Sequence, residues 1–142
     1  MTLKQYSVLL ARISLFVIYF WFGFLKIIGL SPASGLVQDL FNHTLAYIPV
    51  VKMIAPAFFV VGFGFFEVLL GVLFLIPGKE KIVAKLFFFH MFTTALPLVF
   101  LTGSAWQKFM VPTLEGQYII KNLALVACVL NILSSVPRDV RS

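Results

Sequence analysis

The stretch "FFVVGFGFFEVLLGVLFLIPG", Phe58 to Gly78, holds one charged side chain, Glu67, in an otherwise apolar run. A helix needs roughly 20 mostly apolar residues to cross the hydrocarbon of a bilayer, and this run has that length. Lipid offers the backbone no hydrogen-bond partners, so such a run reads as a helix that satisfies its own amides. A carboxylate at the centre of a spanning helix costs roughly 2.5–3.5 kcal/mol, which predicts that Glu67 turns away from lipid.

The same reading extends along the chain. It has 142 residues, 61% of them hydrophobic and 11% charged, with 17 Phe. A soluble domain carries about 25% charged residues. Apolar runs at about 8–30, 56–76, 82–101 and 117–136 each have spanning length. Pro77-Gly78 closes the second and Pro137 the fourth. These features predict an all-α membrane protein, a single domain over 1–142 built as a four-transmembrane-helix bundle. Lys4 before the first run, with "SPASG" after it, suggests a secretory signal. The run exceeds the roughly 7–15 residues of a signal core, however, and Lys26 sits inside its end, so an uncleaved first span is expected.

Between the first two runs, "SPASGLVQDLFNHTLAYIPVVKM" puts Leu36, Val37, Leu40, Phe41, Leu45 and Ile48 on one helical face. Gln38, Asp39, Asn42 and His43 fall on the other. With Ser31 as cap and Pro32 in the first turn, this predicts a short amphipathic helix over about 33–47, lying at the membrane interface. Trp106 in the loop before the fourth run is an expected interfacial anchor.

A net charge of +6 would suggest nucleic acid in a soluble chain. Here it follows from loop asymmetry. Lys4, Arg12, Lys79, Lys81, Lys85, Arg138 and Arg141 collect on one side, whereas the loops of the other hold Lys52 and Lys108. The positive-inside rule then puts both termini in the cytoplasm of an inner (plasma) membrane, with the lipid bilayer as partner and no nucleic acid. The single Cys128 excludes an internal disulfide and a paired-thiol redox motif.

Each run also carries a polar or small-residue stripe. Gly64, Glu67 and Gly71 share a face, as do Arg12, Phe16, Tyr19, Gly23 and Lys26. His90 lines up with Thr93 or Thr94 and with Pro97. On the fourth run, Gln117, Lys121, Ala124, Cys128, Asn131 and Ser135 do the same. Polar residues in spans turn inward, so the four stripes are expected to converge. At 1.5 Å rise per residue, Glu67 and His90 come to similar mid-depth, with Lys26 and Lys121 near the outer end and Arg12 near the inner. The candidate ligand-binding residues are therefore Glu67, Lys26, Tyr19, His90, Lys121 and Arg12. The plainer alternative is that the cations snorkel and Glu67 pairs with one of them or with Tyr19. One acid near a distant Cys128 predicts no metal site. Two axial histidines for haem are not at hand either, since His43 belongs to the interfacial helix. The cofactor stays unknown, a small polar or quinone-like ligand being what such a site would take. Cys128 reads as packing and "LFFFHMF" as lipid-facing bulk.

Three pieces of the chain resemble the DoxX-like superfamily of small four-helix membrane proteins. "ARISLFVIYFWFGFLKIIG" is similar to its opening pattern through Arg12, Gly23 and Lys26. "FEVLLGVLFLIPG" is similar to its second-helix pattern through Glu67 and Gly71. "EGQYIIKNLALVACVL" resembles a stretch of the YkgB/RclC-like branch through Gly116 and Lys121. Gln117 and Asn122 stand where that branch has Arg and Asp, and its "YEA" after the first-helix Lys is absent. The resemblance implies a link with membrane-bound oxidoreductase assemblies, thiosulfate:quinone oxidoreductase among them, and with oxidative-stress responses. The resulting expectation is a small membrane subunit or partner of a quinone-linked or oxidative-stress redox system. No catalytic motif is visible, so a non-catalytic subunit of an oxidoreductase, with a redox-protein partner or a second copy beside it, fits that expectation. A proton-coupled transporter or channel-like protein using Glu67 is the alternative, and a structural assembly factor a third.

Overall fold

The computed structural model describes residues 1–44, 47–50 and 53–136. Four helices are long and apolar enough to cross a membrane: Leu3–Ile27, Pro56–Phe74, Glu80–Phe100 and Leu114–Ser134. Leu45, Lys52, Pro137, Arg138 and Arg141, used above for the amphipathic face, the charge asymmetry and the end of the fourth run, lie outside the described residues.

The first helix, α1 (Leu3–Ile27), starts earlier than its apolar run because Thr2 and Gln5 form a reciprocal cap, each side chain bonding the other's backbone N–H. It ends where Gly29 takes φ +74, a left-handed conformation that glycine adopts without strain. The Leu30 amide then bonds the Leu25 carbonyl at 2.9 Å. Helix α2 (Ser34–His43) follows a turn in which the Ser31 hydroxyl accepts the Ala33 amide at 3.2 Å. Ser31 therefore caps that turn, and the helix begins at Ser34, about one residue later than expected, and ends at His43, about four residues sooner. Phe41 is its buried residue and meets Phe59 of α3 (Pro56–Phe74) at 5.0 Å between ring centres.

The third run is divided by Pro97, which cannot donate an amide to the helix ladder. It comprises α4 (Glu80–Ala95) and a short α5 (Pro97–Phe100). After the single turn α6 (Thr102–Ala105), the loop expected around Trp106 is a small antiparallel hairpin, β1 (Trp106–Lys108) and β2 (Val111–Pro112). The otherwise helical chain thus has a short strand pair with no periodic signature in the sequence. The Trp106 indole N–H donates to the Leu98 carbonyl at 3.0 Å, fixing the hairpin against α5. Thr113 caps α7 (Leu114–Lys121), which leads through Asn122 into α8 (Leu123–Ser134).

Packing centres on α1 and α3. Gly23 abuts Gly64, and Phe20 abuts Gly71, so position rises along one helix as it falls along the other, and the two run antiparallel. A Cβ added at Gly23 would sit 2.7 Å from the Gly64 carbonyl oxygen and 2.8 Å from the Glu67 Cβ. Small residues at these crossings let the backbones approach as no larger side chain would. Leu15, Leu70, Phe87 and Val129 fill the centre of the core and are almost wholly buried. In "LFFFHMF", expected to be lipid-facing bulk, Phe87 and His90 turn inward, while Phe88, Phe89 and Phe92 stay exposed.

Candidate functional site

The α1–α3 crossing determines where the polar side chains meet. In a helix each Cα–Cβ bond tilts toward the N-terminus. Lys26, in the last turn of α1, therefore reaches back along α1 toward the middle of the molecule. Glu67, on antiparallel α3, tilts the opposite way and meets it. Lys26 Nζ lies 2.6 Å from Glu67 Oε2, a charge-assisted separation. Glu67 Oε1 lies 3.0 Å from His90 Nε2 of α4, and His90 Nδ1 lies 3.1 Å from the Tyr19 hydroxyl.

Four ionisable side chains from three helices thus form one unbroken chain of contacts, Lys26–Glu67–His90–Tyr19. Each residue is at most 5% exposed. A carboxylate only accepts hydrogen bonds. With Glu67 ionised and His90 neutral, His90 therefore carries its proton on Nε2 and leaves Nδ1 to accept from Tyr19. In that protonation state the order of donation runs from the phenol through the imidazole to the carboxylate, which the ammonium meets from the other side. Aromatic rings enclose the chain. Phe63 stacks on the His90 ring at 5.0 Å and Phe66 at 6.0 Å, and the Tyr19 ring meets it edge-on at 5.0 Å. The backbone of His90 is braced as well, since Thr93 donates its hydroxyl to the His90 carbonyl at 2.8 Å. Every ring nitrogen and carboxylate oxygen in it has a polar neighbour, so a proton shift at one group would change the bonding of the next.

Arg12 and Lys121 stand apart from it. Arg12 donates from Nη1 to the Phe74 carbonyl at 2.9 Å and from Nη2 to Glu80 Oε1 at 2.6 Å. Glu80 Oε1 also accepts the Gly78 amide at 3.0 Å. Arg12 is therefore a clamp on the α3–α4 turn. Glu80 is the residue that sequence reading missed as its partner. The available signal was the position of Glu80 in the first turn after Pro77-Gly78, level with Arg12 at the same end of the helices. Lys121 is exposed, with Nζ 5.5 Å from the centre of the Tyr118 ring.

The expected inward stripe on the fourth run is corrected too. Gln117, Lys121 and Ala124 are exposed, and Cys128, Asn131 and Ser135 only half-buried. Val129 and Ile132 are what α8 buries. Asn131 reaches Ser7 of α1 at 3.4 Å and touches none of the buried chain's residues. The fourth run meets the rest through an apolar strip, so its polar residues flank the contact. Among the described residues, no three His, Cys, Asp or Glu side chains converge as metal ligands. No protein-family model, no curated protein and no solved structure matches this chain.

Proposed function

We propose that this protein is a multi-pass inner-membrane subunit or partner of a quinone-linked redox system, of the DoxX-like kind, and that its buried chain handles protons. The observation that carries this reading is the continuous Lys26–Glu67–His90–Tyr19 contact path. Ionisable residues inside spanning segments are rare and costly, and they mark proton relays and ligand sites. Converting quinone to quinol consumes protons as well as electrons. A relay held inside the membrane suits a partner that works on a lipid-soluble carrier. In this reading the four long helices form a bundle with both termini cytoplasmic. The α2 helix lies on the outer surface, with Phe41 toward the protein and Asp39 toward water. Electron transfer belongs to the partner, since this chain offers a proton path and carries no redox motif of its own.

The test is purification from native membranes, followed by proton measurements in liposomes. Copurified quinone or a redox protein, lost in Glu67→Gln while the variant still folds, is the expected result. A proton flux coupled to a solute gradient in liposomes of the pure protein would assign transport instead. A folded Glu67→Gln protein that keeps its partner and full activity would remove the buried chain from the function and leave it a packing element.

A further inference from the structure

At the opposite end of α1 from Lys26, a groove of about 450 Å³ opens between the first turns of that helix and the end of α8. Lys4, Gln5, Val8, Leu9 and Arg12 line one wall and Ser135 the other. Its size falls in the range of roughly 300–1,000 Å³ common to small-molecule sites. Lys4, Val8 and Arg12 follow one another at four-residue spacing, so they share one face of α1. Two cations therefore bracket an apolar patch; among the described residues Arg12 pairs with Glu80, and no ion pair is formed by Lys4. A guanidinium has five N–H donors, and the two contacts to Phe74 and Glu80 leave others to offer. The Gln5 Oε1 accepts the Thr2 amide, which leaves its NH₂ group to donate. The Ser135 hydroxyl donates to the Ile132 carbonyl at 2.6 Å, so toward the groove its oxygen can only accept.

The groove therefore offers donors for an anion, an acceptor for a hydroxyl, and an apolar wall beside them. We propose that it binds an anionic glycerophospholipid of the phosphatidylglycerol type from the cytoplasmic leaflet. Lys4 and Arg12 take the phosphate, with a donor from Gln5. Ser135 accepts from a glycerol hydroxyl, and Val8 and Leu9 cover the first methylenes of an acyl chain. Basic pockets between spanning helices on the cytoplasmic side bind anionic headgroups in this way. The proposal rests on the termini-inside membrane reading and adds a ligand to it. It does not involve the buried Lys–Glu–His–Tyr chain.

Native mass spectrometry of the delipidated full-length protein in detergent, titrated with phosphatidylglycerol or phosphatidylcholine, tests it. One phosphatidylglycerol should bind in clear preference to phosphatidylcholine. Lys4→Gln should weaken that binding about fivefold, the factor for ~1 kcal/mol per basic residue at a membrane surface. Ser135→Trp, which fills the groove and leaves the charge unchanged, should weaken it as well. Lys79→Gln removes the same charge from an exposed site outside the groove and should leave binding within twofold. An equal loss in Lys79→Gln and Lys4→Gln would mean diffuse surface attraction and would overturn the proposal. So would displacement of the lipid by millimolar inorganic phosphate, which would make the groove a site for free anions. Headgroup binding in detergent is independent of orientation, so an inverted topology found by labelling would refute the membrane reading without changing this result.

Discussion

The pair Lys26–Glu67 makes the most quantitative prediction. Glu67 uses one oxygen for Lys26 and the other for His90, at 2.6 and 3.0 Å. Glu67→Gln keeps the shape but offers a single acceptor oxygen, so one of the two donors loses its partner. If the amide serves His90, the Lys26 ammonium stays about 95% buried with a neutral NH₂ group facing it. Removing one partner of a buried ion pair costs roughly 3–5 kcal/mol. The same loss is expected for Lys26→Met, which leaves the carboxylate with only His90. The double variant Lys26→Met/Glu67→Gln removes both charges at similar volume and keeps the His90 bond. Its residual defect is an amide N–H group without a partner, worth roughly 1–3 kcal/mol. Stability measured by reversible unfolding in mixed detergent micelles should therefore place the double variant at or above each single one, although the two single losses would sum to roughly 6–10 kcal/mol. A double variant that loses the full sum would show that the two groups do not share one interaction, and the pairing argument would be wrong.

Gly23→Ala should destabilise by roughly 1–3 kcal/mol, since its Cβ meets backbone that can yield only by parting α1 from α3, whereas Gly62→Ala, with open space around it, should be neutral or mildly stabilising in the same unfolding assay. Arg12→Lys should lose roughly 1–2 kcal/mol because an ammonium cannot reproduce the forked contact to the Phe74 carbonyl and Glu80, and adding Glu80→Gln should cost less than the separate losses combined. For orientation, single cysteines in a Cys128→Ser background belong at exposed Lys79 and Phe109, because Gly78 has φ +82 and a Cβ at Gly116 would run into the Ala105 carbonyl. A membrane-impermeant thiol reagent on intact cells should label the Phe109→Cys protein and spare the Lys79→Cys protein; the opposite pattern would invert the topology.

The sequence by itself determined where the long helices lie. Crossing length and the need for internal backbone bonds are one-dimensional criteria, so a run such as Phe58–Ile76 can be read without knowing its neighbours. Helical periodicity is equally local, and it put Tyr19, Gly23 and Lys26 on one face and Gly64, Glu67 and Gly71 on another. All six are buried, whereas Arg12 and Phe16, expected on the first of these faces, are half-buried and Ala11 and Leu15 take the buried positions there. Which charge meets which was not legible. Partner choice depends on the register between helices, and that register comes from the contact of Gly23 with Gly64, 41 residues apart along the chain. It sent Lys26 to Glu67 and Arg12 to Glu80, and it left Lys121 exposed. The phase of the fourth run was misread because periodicity shows that a helix has a polar stripe and an apolar strip but not which of them meets its neighbours. The Leu114–Ser134 helix is the least covered of the four and presses only Val129, Ile132 and their neighbours on the core, with its polar residues flanking that strip. The hairpin at Trp106–Pro112 was invisible for a related reason: strands this short carry no period, and the bonds of Trp106 to Leu98 and of Thr113 to Ser104 that brace it exist only once the chain has folded.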